Sequence, residues 1–126
     1  MRKLRLILLE GKYAICRLDP DSELPDWAAA GEFQAITRTP DELSVICLQK
    51  QVPRGINCQA GWKLLKIEGP FNFDEIGVLA SLTAPLADAQ ISLLTISTYD
   101  TDYLLIQQEN FSRASQILEA AGHQVV

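Results

Sequence analysis

The sequence predicts an α+β fold of two units, each laid out as strand, helix, strand, strand, helix, strand, with the first unit degraded. Two observations predict it. Apolar runs of strand length, bounded by Gly, Pro and Asp, recur along all 126 residues. Two longer stretches with apolar residues at helical spacing lie between strands of the second half, whereas the first half holds only a short one.

Leu4 to Leu9 and Tyr13 to Leu18 open the chain as strands, and Glu10-Gly11-Lys12 between them reads as a hairpin turn. Turn formers fill Asp19 to Pro25. Pro25 suits a first helical position, so Asp26 to Ala30 is expected as a short helix stopped by Gly31. Phe33 to Thr37 and Leu43 to Leu48 are strand-rich and are joined by the turn Thr39-Pro40-Asp41-Glu42. Val52 to Asn57 is a loop, with a second turn near Arg54, and it marks a seam between halves at 1–60 and 61–126.

The second half is more regular. Trp62 to Glu68 is a strand and Gly69-Pro70-Phe71 its tight exit. Asn72, with Glu75 three residues on, has the form of a capping box for a helix whose inner face carries Ile76, Leu79, Ala80, Leu86 and Ala87, with Pro85 kinking it. Ile91 to Thr98 and Tyr103 to Gln107 are strands around the turn Tyr99-Asp100-Thr101. Asn110 is placed to cap a second helix with Phe111, Ala114, Ile117, Leu118 and Ala121 inward and Gly122 at its end, before a closing strand His123 to Val126. Right-handed crossovers turn this order into an antiparallel four-stranded sheet with both helices on one face, the ferredoxin-like arrangement.

Charge and composition narrow the function. Hydrophobic residues make up 48% and charged ones 21%, the balance of a folded domain; the net charge of −5 argues against nucleic acid as a partner. No apolar run is long enough to span a bilayer. The opening Arg2 to Leu9 has too short an apolar core for a signal peptide and runs into Glu10. Cys16, Cys47 and Cys58 lack the spacing of a metal knuckle or redox motif. The first two sit in apolar runs as small buried hydrophobes, which makes a reducing cytoplasm the expected compartment. His123 has no nearby Ser or Cys partner and reads as a strand-edge residue, not a general base. Asp74 and Glu75 sit in a first helical turn, which the dipole favours in any case, and no nucleotide-binding glycine pattern is present. No metal and no cofactor are expected. Tyr103 alone on its strand is too few aromatics for an RNA-recognition sheet.

Two stretches carry more. Glu68-Gly69-Pro70-Phe71-Asn72-Phe73-Asp74-Glu75-Ile76-Gly77-Val78-Leu79-Ala80 and Ile96-Ser97-Thr98-Tyr99-Asp100-Thr101-Asp102-Tyr103-Leu104-Leu105, with Gly61-Trp62 and Ala84-Pro85-Leu86-Ala87, resemble the ACT domain family of small regulatory amino-acid-binding domains. More narrowly, the chain resembles small stand-alone bacterial proteins with two ACT-like halves, which are related to the aspartate kinase regulatory domain and to the cytosolic arginine sensors of animals. Val45 to Leu48 and Val52-Pro53 carry the resemblance in the first half.

The resemblance implies an amino-acid effector at an interface between ACT units. One wall would be the post-strand loop and helix start, Gly69, Pro70, Phe71, Phe73, Ile76 and Gly77. The other would be the exit of the second strand, Thr98, Tyr99, Asp100, Thr101 and Asp102. Backbone N–H groups at the helix start suit the ligand's carboxylate, and Asp102 or Asp100 its ammonium or a basic side chain. Each piece also has a plain role: Gly69-Pro70 as a tight turn, Gly77 for close helix–sheet packing, Asp100 and Asp102 as turn solvation, Phe71 and Phe73 as staple or core, and Trp62 as a plug whose indole N–H meets a backbone carbonyl. The expectation is a cytoplasmic, non-enzymatic sensor that works as a homodimer or with an unidentified protein partner. A ligand-free interaction module and an acylphosphatase-like enzyme are its rivals.

Overall fold

The computed structural model describes residues 3–68 and 76–126. Among the described residues eight strands and two α-helices follow in order: β1 (Arg5–Leu8), β2 (Tyr13–Leu18), β3 (Ala35–Arg38), β4 (Leu43–Leu48), β5 (Cys58–Ile67), α1 (Val78–Asp88), β6 (Leu93–Ser97), β7 (Asp102–Gln107), α2 (Gln108–Ala120) and β8 (Gln124–Val125). Single 3-10 turns at Asp26–Ala29 and Gln49–Gln51 stand where the degraded unit lacks helices. The chain divides into an inserted unit, Gly11–Trp62, and a split unit of the residues up to Glu10 with Lys63–Val126. The strand β5 contributes to both. Residues 3–10 thus group with the second half of the chain.

That regrouping corrects the expected hairpin. β1 does not pair with β2; it runs antiparallel to β5, with Leu6 opposite Ile67, and parallel to β8, with Leu6 opposite Val125. Glu10-Gly11-Lys12 looks like a hairpin turn because it has a glycine between two apolar runs. Nothing local reveals that the partners of β1 lie about sixty and 120 residues away.

In the inserted unit the strand order is β3-β4-β2-β5, all pairs antiparallel. The register slips by one residue between Tyr13 and Ile15, where β5 carries the extra residue; Gly61, at φ +85°, supplies the left-handed backbone of that bulge and Gln49 Oε1 accepts its N–H at 2.8 Å. The core beneath is small: Ala14, Cys16, Ala28, Leu43, Val45 and Cys47. Gln51 Nε2 donates to the Trp27 and Ala30 carbonyls (2.9 and 3.1 Å), holding the two 3-10 turns together.

In the split unit the order is β6-β7-β5-β1-β8, the ferredoxin-like order with β1 inserted next to β5. Alternate residues Leu65 and Ile67 of β5, and Leu104 and Ile106 of β7, share one core with Leu82 and Leu86 of α1 and Ala114 and Leu118 of α2, so both helices cover one sheet face. The helix starts differ from expectation. The N-cap of α1 is Gly77, and Asn72 and Glu75 lie outside the described residues. α2 starts at Gln108 with Gln107 as N-cap and no side-chain cap, so Asn110 lies inside the helix.

His123, expected as a strand-edge residue, is buried at 4% exposure. The Leu4 N–H donates to its Nδ1 (3.1 Å), which leaves the ring proton on Nε2, and Nε2 donates to the Ser81 carbonyl (3.0 Å). That carbonyl is the one residue 85 would bond in a regular helix, and Pro85 has no N–H to give. The buried imidazole therefore satisfies the acceptor that the mid-helix proline orphans, and ties α1 to Leu4, the residue before β1, as it does so.

Candidate functional site

The site is built around the end of β5. Glu68 follows the buried Ile67; its N–H donates to the Arg5 carbonyl (2.8 Å), and its carboxylate pairs with Arg5 Nη1 at 3.0 Å across a half-exposed surface, worth about 0.2–1 kcal/mol. Gly69, Pro70, Phe71 and Phe73 come next and lie outside the described residues, as do Asp74 and Glu75.

Ile76 is 98% exposed and precedes the helix, so it is not part of the helical inner face expected of it. Gly77 adopts φ 83°, ψ 3°, and none of the described residues lies within 4 Å of where a Cβ would stand. The left-handed backbone by itself accounts for the glycine, without close packing against any described residue. The first intrahelical bond runs from Ser81 N–H to the Gly77 carbonyl (3.0 Å), so the N–H groups of Val78, Leu79 and Ala80 have no partner within the helix, and no described side chain caps them. Val78 and Leu79 rest on the core that contains Ile67.

The hairpin turn between β6 and β7 is held from within. The Thr98 N–H donates to the Thr101 carbonyl (2.8 Å), and the Thr101 N–H donates to Thr98 Oγ1 (3.2 Å). Ser97 and Asp102 face each other across the ladder, and the Ser97 hydroxyl donates to Asp102 Oδ1. Tyr99, 81% exposed, and Asp100 point outward. Thr101 turns inward instead: it is 5% exposed and its hydroxyl donates to the Ile67 carbonyl at 2.5 Å.

Thr101 thus fastens the aspartate-bearing turn to the last residue of β5, two positions before Gly69. Of the eleven expected residues, seven are described. The turn residues Thr98 to Asp102 are gathered at the strand end, and Ile76 and Gly77 lead into α1. Ser97 and Glu68 were not singled out as site residues. Ser97 was findable, since a tight turn over 98–101 puts it opposite Asp102. Glu68 and Arg5 meet through long-range pairing that leaves no local signal. Among the described residues the turn carries the acidic Asp100 and Asp102, and Glu68 is paired with Arg5, an arrangement that favours a positively charged ligand group. Trp62 departs from expectation: its buried indole N–H has no hydrogen-bond partner among the described residues.

Against known proteins, the profile of the ACT domain matches residues 57–120, and a profile for an N-terminal domain matches residues 11–55, inside the inserted unit. The curated relative cytosolic arginine sensor for mTORC1 subunit 1 of Bos taurus is 36% identical over 59 residues, which cover 46% of this chain and 18% of that protein. The chain therefore matches less than a fifth of the length of its curated relatives. The crystal structure of an Agobacterium tumefaciens protein superposes with a TM-score of 0.94 at 37% identity, covering 100% of this chain and 94% of that one. The regulatory subunit of aspartate kinase from Thermus thermophilus shares the fold, with a TM-score of 0.62 at 13% identity over 93% of this chain and 97% of that one.

Proposed function

The chain belongs to the ACT domain family, and on that premise we propose that it is a non-catalytic regulatory protein that binds a free amino acid. The ligand lies against the loop after β5 and the start of α1 on one side, Gly69, Pro70, Phe71, Phe73, Ile76 and Gly77, and against Thr98, Tyr99, Asp100, Thr101 and Asp102 on the other. One observation carries the reading: the buried Thr101 hydroxyl bonds Ile67, so the second wall is anchored where the first begins. The N–H groups of Val78, Leu79 and Ala80, which have no partner among the described residues, are suited to a carboxylate, and the acidic turn to an ammonium or guanidinium. Arginine is the first ligand to test, because the curated relative is an arginine sensor. Binding shifts the population toward the conformation that holds the ligand better, and that shift is the signal. The edge strand β6, with Leu94 exposed, favours a homodimer as the acting species in the cytoplasm.

Calorimetry and thermal-shift measurements against the twenty amino acids test this. The expected result is saturable heat and a raised Tm with at least one of them, weakened about tenfold by Asp102→Asn, the loss of one charge-assisted bond. No heat and no shift at millimolar concentration with any of them overturns it. That outcome supports the second reading, a ligand-free interaction module. The observation favouring that reading is that Asp102 and Thr101 are already satisfied by Ser97, Thr98 and Ile67.

A further inference from the structure

We propose that Cys16 and Cys58 of the inserted unit form a site of reversible oxidation, closing a cross-strand disulfide when the protein meets a peroxide. The two cysteines are directly opposite in the β2–β5 ladder. The neighbouring pair, Arg17 and Asn57, is bonded through Arg17 N–H to the Asn57 carbonyl at 2.9 Å. In an antiparallel ladder bonded and non-bonded pairs alternate, so Cys16 and Cys58 occupy a non-hydrogen-bonded position, where Cα atoms approach to about 4.5 Å and side chains lie closest. A disulfide spans Cα separations of about 4.4–6.8 Å, so this position admits one without backbone movement.

The third cysteine is excluded by the same register. Cys47 stands opposite Ala14, diagonal to Cys16, and diagonal Cα separations of about 7–8 Å are beyond the reach of a disulfide. Cys47 and Cys58 are separated by the whole of β2. Among the described residues no set of three His, Cys, Asp or Glu side chains is arranged to hold a metal ion, so the three thiols do not form a metal centre.

Exposure orders the chemistry. Cys58 is exposed and Cys16 is 1% exposed. Burial first, then the neighbouring Cys47 and Cys58 thiols, push the Cys16 thiol up to about 12, so it does not attack first. The Cys58 sulfur takes one oxygen from hydrogen peroxide: an S–O bond forms, the O–O bond breaks, and water leaves. The Cys16 sulfur then attacks the sulfenic sulfur; the S–S bond forms, and the hydroxyl departs with the Cys16 proton as a second water. Two thiols lose two electrons and one peroxide becomes two waters. A thiol reductant reverses the step. The product pins the start of β5 to β2.

The full chain, treated with hydrogen peroxide and then alkylated, gives the test by intact mass and peptide mapping. The expected product has lost two hydrogens, keeps one alkylatable thiol at Cys47, and yields a Cys16–Cys58 cross-linked peptide that a reductant abolishes. Cys47→Ser retains the cross-link and Cys58→Ser loses it. Accumulation of sulfinic acid on Cys58 with Cys16 still alkylatable under denaturant, or a cross-link involving Cys47, overturns the proposal.

Discussion

The inserted unit reaches with 3-10 turns of four and three residues the strand order that the split unit reaches with helices of eleven and thirteen. In both, the second strand of the pattern lies outermost, the third next to it, then the first, with the fourth beyond; only the split unit adds β1 between the last two. Strand order therefore follows from the connection rules and not from the length of the crossover. The covering element differs because the side chains beneath differ. Ala14, Cys16, Ala28 and Cys47 are small and a single turn covers them, whereas Leu82, Leu86, Leu104, Ile106 and Leu118 need the area of two helices. The unit with short cover holds the cysteine ladder, and the unit with helices offers an α1 start that can face a ligand.

The sharpest test of that contrast is a leucine deletion in each core. Leu82→Ala opens a cavity enclosed by two helices and a sheet, with little freedom to collapse, and is expected to cost about 4 kcal/mol. Leu43→Ala lies under single-turn cover that can settle inward, and is expected to cost about 2–3 kcal/mol. Urea unfolding of both variants decides it, and equal losses would break the comparison. Next in size is His123→Ala, expected to cost about 3 kcal/mol by leaving the Leu4 N–H and the Ser81 carbonyl without partners. Adding Pro85→Ala supplies the helix N–H that Ser81 lacks and should recover about 1 kcal/mol in a double-mutant cycle; no coupling between the two sites would refute the orphan-carbonyl account. Smallest is Thr101→Val, about 1–2 kcal/mol, read from the unfolding midpoint, because only the Ile67 carbonyl loses its donor.

Strands that are bounded apolar runs were legible: β2 and β4 begin and end where the sequence places them, whereas β5 starts at Cys58, four residues before the expected Trp62. Starts of helices were less so. Asn72 with Glu75, and Asn110, have the chemistry of N-caps, yet α1 takes Gly77 and α2 takes Gln107, because cap identity is settled by backbone conformation and packing more than by side-chain preference. The place of β1 was illegible, since strand pairing over long separations carries no local mark. Pro85 did carry a usable signal: a proline inside a helix announces an unpaired carbonyl four residues earlier, and a buried donor must exist for it. At the candidate site the turn Thr98 to Asp102 was legible as a turn, but that Thr101 faces inward and the neighbouring residues outward depends on the pairing of β7 with β5.

The most direct measurement of the central claim is an amide NMR titration of the full chain with arginine, followed by the remaining amino acids. Saturable shifts at Gly77, Val78, Leu79 and Thr98 to Asp102, with the amides of the inserted unit's β3 and β4 unmoved, are the predicted result. Shifts confined to residues 11–62, or none with any amino acid, would contradict it.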